Sequence, residues 1–253
     1  LVIGNGSDEI ILFLLQVFCQ EGDTIIFPEP TFAMYSIIAQ SLSIKSASIS
    51  LDSQWNFNAD ALLRSAEENN SRIIFLSYPN NPTGNCFSDI QVQKVIESFQ
   101  GIVVIDEAYH DFSRKSFINQ IEEHNNLVVL RSLSKIGLAA LRVGFGVAGP
   151  LVINEINKVR LPYNSNTISQ TFAEHLITNF ELVQEQIDSI VDERHRLLDE
   201  LQKVELVTAF PSDSNFILFK TEKSANNIFT YLSKNGILVR NLSSHPKLNN
   251  CLR

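Results

Sequence analysis

Cysteine is scarce in this chain, and what there is lies scattered: Cys19, Cys86 and Cys251, with no CxxC pair. An odd, dispersed set excludes a disulfide framework and fits free thiols in a reducing compartment. The five histidines, His110, His124, His175, His195 and His245, form no HxxxH or Cys/His cluster, so the usual sequence grounds for a metal site are missing. Long apolar runs are missing too. The longest, Ile10 to Val17, is broken by Gln16 and falls far short of the ~18 residues that a membrane span needs. Positive charge is in deficit, with 20 Lys+Arg against 28 Asp+Glu and a net charge of -8. That balance argues against general nucleic-acid binding but allows a local basic pocket for an anionic substrate. The expectation is a cytoplasmic protein that binds neither membrane nor nucleic acid.

At 253 residues and 44% hydrophobic content, the chain can bury sizeable cores without covalent or metal staples. Leu1 is not an initiator residue, and LVIGNGSDE reads as the end of a strand, so residues are expected before Leu1. Short β-branched runs then alternate with helical patterns. Strands are expected at Thr24–Phe27, Ile44–Ser50, Arg72–Ser77, Ile102–Ile105, Leu127–Leu130 and Val143–Ala148. Helices are expected between them at Asp8–Cys19, Phe32–Ser41, Ala59–Glu68, Ser88–Phe99 and Leu151–Val159. This alternation, with strands apolar on both faces, predicts an α/β fold: a mainly parallel sheet covered by helices. RLPYNSN (Arg160–Asn166) breaks the rhythm. Beyond it come a long helical stretch from Ser169 to Lys203, then strands Leu206–Thr208, Asn215–Lys220 and Ile237–Val239 with a helix Ala225–Asn235. These predict a large domain over 1–164 and a smaller α+β domain over 165–253.

Ligands of open α/β sheets bind beyond the carboxyl ends of the strands, and four polar motifs fall there. GNGSDE (Gly4–Glu9) is a glycine turn opening a helix, where free N–H groups at Gly6, Ser7 and Asp8 could cradle a phosphate. Taken alone it reads better as a plain capped helix with acids in its first turn. SYPNNPTGN (Ser77–Asn85) is a rigid loop directly after a buried strand, with the Asn80 and Asn81 amides free to hydrogen-bond. IVVIDEAYHDF (Ile102–Phe112) puts Asp106 and Glu107 at a strand end; a magnesium site or a hydrolase pair would be the generic reading, yet neither accounts for Tyr109. VVLRSLSKIGLAALRVGF (Val128–Phe145) sets Lys135 among serines with Arg142 seven residues later. Burial and a neighbouring cation would favour its neutral, nucleophilic amine, although a solvated lysine at a helix start is the commoner arrangement. Gly144, Gly146 and Gly149 also match GxGxxG, but they fall inside a strand pattern with Pro150 following, which is the wrong context for a dinucleotide site.

Together, GNGSDE, PTFAMY, YPNNPTG, IDEAY, SLSK, LRVGF and a late LR occur in one order over Leu1–Arg253, and in this the chain resembles the class I and II aminotransferases, enzymes of fold type I that depend on pyridoxal 5'-phosphate. Within that family the likeness is greatest to histidinol-phosphate aminotransferases. The resemblance implies that Lys135 binds the cofactor covalently and carries the proton, and that Asp106 keeps the pyridine nitrogen protonated so that the ring acts as an electron sink. It implies that Tyr109 and Asn81 hydrogen-bond the cofactor's phenolic oxygen and that Phe32 stacks on its ring. Ser132, Ser134 and Arg142, with the amides of Gly6, Ser7 and Asp8, would hold the cofactor phosphate. Arg253 would clamp a carboxylate as a bidentate pair, and Arg240 would receive the phosphate end of the substrate. The implied substrates are histidinol phosphate and 2-oxoglutarate or glutamate, in a homodimer. Arg142 follows Lys135 by seven residues where many relatives have eight, and the family has further segments before GNGSDE and after the last arginine. An aromatic or broad-specificity aminotransferase, a threonine-phosphate decarboxylase, and a non-catalytic cofactor-binding regulator remain open alternatives.

Overall fold

A computed structural model describes residues 1–253. The elements run β1 (Val2–Asn5), α1 (Ser7–Phe18), β2 (Thr24–Glu29), α2 (Met34–Ser41), β3 (Lys45–Ser50), α3 (Ala59–Glu68), β4 (Ser71–Ser77), α4 (Asp89–Ser98) and β5 (Ile102–Asp106). They continue with α5 (His110–Ser113), β6 (Leu127–Ser132), β7 (Val143–Ala148), α6 (Pro150–Val159), α7 (Thr167–Thr178) and α8 (Glu181–Gln202). The last are β8 (Val207–Ala209), β9 (Phe219–Thr221), α9 (Ala225–Lys234) and β10 (Cys251–Leu252). No helix is long and apolar enough to cross a membrane.

One sheet has the order β1-β7-β6-β5-β4-β2-β3, parallel from β3 to β6 and antiparallel where β7 joins β6 and β1. Its central strands are apolar on both faces because both faces are covered. Ile73 and Phe75 of β4, Val104 of β5 and Val128 and Leu130 of β6 pack with α1, α2 and α6. The alternate residues Ile74, Leu76, Val103, Ile105, Leu127 and Val129 pack with α3 and α4 on the other side. This period of two is the pleat of the strand, expressed in two separate cores. The order in which strands are added to the sheet reverses between β2 and β4, and the polar motifs sit at the carboxyl edge of the parallel strands.

The smaller sheet, β10-β9-β8, is antiparallel and carries a core of Leu218, Leu248 and Cys251. Two of its expected strands differ. The stretch Asn215–Lys220 is strand only from Phe219, because Ser212 Oγ bonds the Phe216 carbonyl at 2.5 Å and turns the chain there. Ile237–Val239 is not a strand: Ile237 and Leu238 are exposed, and pairing starts only at Arg240, whose backbone exchanges bonds of 2.8 and 2.9 Å with Arg253. The helical stretch 169–203 is two helices, α7 and α8, separated where Asn179 bonds back to the His175 carbonyl at 2.7 Å. The turn 212–216 joins the two parts. Asp213 accepts from the Cys86 amide at 2.8 Å, and the buried Arg194 of α8 donates to the Ser214 carbonyl at 2.8 Å.

Gly144 marks the closest approach in the large sheet. A Cβ there would collide with the Ser7 nitrogen and lie 2.6 Å from the Gly6 carbonyl carbon, so glycine lets the start of α1 press on β7. Both groups are backbone and cannot move aside, so Gly144→Ala is expected to lower stability by about 1–3 kcal/mol or more. Gly149→Ala, whose nearest neighbour is the Asn125 side chain at 3.8 Å, should cost well under that in the same urea melts.

Candidate active site

The carboxyl ends of β2, β4, β5 and β6 and the start of α1 surround a cavity of about 140 Å³. Its walls are Ser7, Asp8, Phe32, Ser77, Asn81, Asp106, Ala108, Tyr109, Ser132, Ser134, Lys135, Ala139 and Arg142. Every residue expected at the cofactor is therefore gathered here except Gly6, which lies just behind Arg142. Positions separated by more than a hundred residues in sequence meet because neighbouring parallel strands end in register, with Ser77 opposite Asp106.

At one end the groups are suited to an anion. Gly6 caps α1 with φ 83° and supplies no side chain, so the first N–H groups of the helix are left without a side-chain partner. Arg142, itself in the left-handed region at φ 54°, reaches over Gly6 to the Asn5 carbonyl at 3.4 Å and lies 3.6 Å from the Asp8 carboxylate. A Cβ on Gly6 would stand 2.5 Å from that guanidinium. The cradle exists only because residue 6 is glycine. Ser132 and Ser134 complete it, the Ser132 hydroxyl accepting from the Ser134 amide at 3.2 Å. A guanidinium, two hydroxyls and open helix amides form the donor set that a phosphate monoester requires.

The same cavity is lined by Asp106, buried to 3% exposure. Its oxygens accept from the Tyr35 hydroxyl at 2.8 Å and the Ala108 amide at 3.1 Å. Burial pushes its carboxyl up to about 6, although both donors favour the charged form. Lys135 lines the same cavity, its Nζ 5.4 Å from the centroid of the Tyr109 ring. Burial raises the Tyr109 phenol above its ordinary value, while the nearby Arg253 acts in the opposite direction. Phe32 forms the remaining wall and meets Tyr35 edge-on at 5.5 Å.

Arg253 and Arg240 lie in a second cleft of about 360 Å³, which shares Phe32 and Asn81 with the first. Arg253 donates to the Asn81 side-chain oxygen and lies 4.6 Å from the centroid of the Phe216 ring, which packs edge-on against Tyr109 at 5.2 Å. Burial lowers the Arg253 pKa, and Arg240 adds to that through like-charge repulsion. No group of three or more His, Cys, Asp or Glu is arranged to hold a metal ion.

Three residues of this region were not singled out by sequence. Tyr35 lies within PTFAMY, where its spacing from Phe32 looks like ordinary helix packing. Ser77 opens its motif, yet it acts by holding the loop: its hydroxyl donates to the Pro79 carbonyl at 3.1 Å and accepts from the Asn81 amide at 3.3 Å. Phe216 carries no signal of a site residue, being one apolar position of the expected strand Asn215–Lys220.

A family model described as aminotransferase class I and II matches residues 1–253. The histidinol-phosphate aminotransferase of Vesicomyosocius okutanii is 40% identical over 252 residues, covering 100% of this chain and 71% of that protein. The histidinol-phosphate aminotransferase of Flavobacterium johnsoniae is 40% identical over 257 residues, covering 100% and 73%. Among solved structures, a histidinol-phosphate aminotransferase from Sinorhizobium meliloti in complex with pyridoxal-5'-phosphate superimposes with a TM-score of 0.90 at 21% identity, covering 100% of this chain and 71% of that one. At that identity the likeness is one of fold.

Behind the site, Glu107 is 1% exposed and its carboxylate accepts from Arg131 Nε at 2.8 Å, Ser116 Oγ at 2.9 Å and the Phe117 amide at 2.7 Å. Removing the guanidinium leaves a buried charge uncompensated, so Arg131→Ala is expected to cost about 3–5 kcal/mol. Burial already raises the Glu107 pKa, and losing Arg131 raises it further. A carboxyl whose folded pKa lies above its unfolded value binds protons more tightly when folded, so stability falls as pH rises through that interval. The deficit of the mutant should therefore be larger at pH 8 than at pH 5 in denaturant melts.

Proposed function

The chain belongs to the aminotransferase class I and II family, and from that premise we propose that it transfers an amino group from L-histidinol phosphate to 2-oxoglutarate, giving imidazole-acetol phosphate and L-glutamate, with pyridoxal 5'-phosphate as cofactor. The substrate follows from the relatives named above, which align over the whole chain at 40% identity. The observation that carries the reading is one cavity lined by an anion cradle, a buried carboxylate and a lysine. When bound there, the cofactor supplies an electron sink that lets a proton leave the amino-bearing carbon of the substrate.

In this reading the protein's own groups divide the work. Arg142, Ser132, Ser134 and the amides of Gly6, Ser7 and Asp8 bind the cofactor phosphate. Asp106 holds a proton on the ring nitrogen, and its burial makes that ion pair stronger than it would be in water. Tyr109 and Asn81 bind the phenolic oxygen, and Phe32 covers a ring face. Lys135 anchors the cofactor and moves the proton at the substrate carbon. Arg253 takes a substrate carboxylate. Arg240, more exposed in the same cleft, takes the phosphate of histidinol phosphate. Both substrates are anionic, and paired guanidinium groups let one cleft serve both in alternation. We assign residues 1–164 to the cofactor-binding unit and 165–253 to the smaller unit. We further propose a homodimer, which fits the exposed apolar side chains Leu161, Tyr163, Ile168 and Phe172, and a cytoplasmic location.

Two measurements test this reading. Borohydride reduction of the cofactor-loaded protein followed by peptide mass spectrometry is expected to find the cofactor on Lys135 and no adduct in Lys135→Ala; an adduct on another lysine refutes the assignment. Removing one member of a desolvated charge pair costs about 2–5 kcal/mol, or roughly 30- to 5,000-fold in kcat/KM. Arg253→Ala should lose that much in the glutamate half-reaction. Arg240→Ala should lose more with histidinol phosphate than with histidinol, and equal losses would mean that it does not read the phosphate.

A further inference from the structure

Tyr35 is wholly buried, yet it carries a hydroxyl into the most charge-sensitive part of the cavity wall. Its ring is fixed on three sides: stacked on Phe75 at 4.7 Å and 16°, edge-on to Phe32 at 5.5 Å, and tilted against Phe27 at 6.0 Å. A side chain so confined has one place for its hydroxyl, and that place is 2.8 Å from Asp106 Oδ2. The Ala108 amide occupies Oδ1. With one donor fixed on each oxygen, the carboxylate is held in one orientation.

We propose that Tyr35 is a positioning residue for Asp106, holding that carboxylate charged and in one orientation so that it can keep a proton on the ring nitrogen of the bound cofactor. The inference rests on the reading of Asp106 given above. Its physical ground is the competition at this position. Desolvation favours the neutral acid, and donors to the charged form oppose it. The other charged or titratable groups facing Asp106 are Asp8 from α1, which favours the neutral acid; Lys135 after β6, which favours the carboxylate; and Tyr109, which follows β5 itself. Of the two hydrogen bonds that the Asp106 carboxylate receives, only the one from Tyr35 comes from a side chain. The same ring touches Phe32, so one residue aligns both the charge and the aromatic wall.

Tyr35→Phe removes the donor and keeps the stacked ring. Two readouts separate charge control from simple packing, both on protein expressed from the complete gene. In the cofactor-free protein, carbon NMR of the Asp106 carboxyl should give a midpoint near 6, moving up by about one pH unit or more in Tyr35→Phe, as expected for loss of a hydrogen bond to a charged group. In the loaded protein, nitrogen NMR of isotopically labelled cofactor should show the ring nitrogen protonated in the wild type and shifted toward the unprotonated position in the variant. Correspondingly, the acid limb of the half-reaction's pH profile should move upward. If Tyr35→Phe does not fold, a ring-fluorinated tyrosine at position 35, a stronger donor of nearly the same shape, should move the Asp106 midpoint down. An unchanged midpoint and ring-nitrogen signal overturn the proposal for Tyr35. An unprotonated ring nitrogen in the wild type overturns the underlying reading of Asp106 instead.

Discussion

At the end of β5, near the middle of a seven-stranded sheet, one carboxylate has almost no exposed surface and no cationic side chain hydrogen-bonded to it. Charge at such a place is expensive, and burial pushes the Asp106 carboxyl up to about 6. Much of the surrounding structure can be understood as what makes that position tenable and useful. Tyr35 and the Ala108 amide supply donors, the strands on either side fix its height, and the cavity gives it something to face. A cationic ring nitrogen is the partner that would compensate the cost.

The cradle formed by Gly6 and Arg142 follows from a different constraint. The glycines at 6 and 144 let backbone come closer than any side chain would permit, which brings the open helix amides of α1 under the Arg142 guanidinium. The cavity thus brings together donors suited to an anion, a buried carboxylate and a lysine. The clefts share Phe32 and Asn81, and Arg253 bonds Asn81 directly, so the C-terminal end of the chain contributes an arginine beside the site.

Much of this was legible in the sequence. The parallel strands announced themselves because both their faces are buried, and Val143–Ala148 and Ala59–Glu68 have the bounds that their patterns predict. The motifs after β4, β5 and β6 were readable because buried strands that end in costly polar residues need a reason to do so. The C-terminal unit was less legible. Its strands are three residues or fewer, and pairing begins at Arg240 because Arg253 lies opposite it, which no local pattern encodes. Tyr35 was overlooked for a related reason. Within α2 it has the spacing of a core residue, and it is one; only the position of Asp106, 71 residues later, makes its hydroxyl matter.

The charge on Asp106 is the point at which the fold and the proposed chemistry meet, and Asp106→Asn tests it with least disturbance of shape. The phosphate cradle is untouched by that change, so cofactor affinity should stay within about tenfold while the single-turnover rate with histidinol phosphate falls by about three orders of magnitude or more. A single-turnover rate near that of the wild type, in protein verified to be fully loaded with cofactor, would contradict the role assigned to the buried carboxylate.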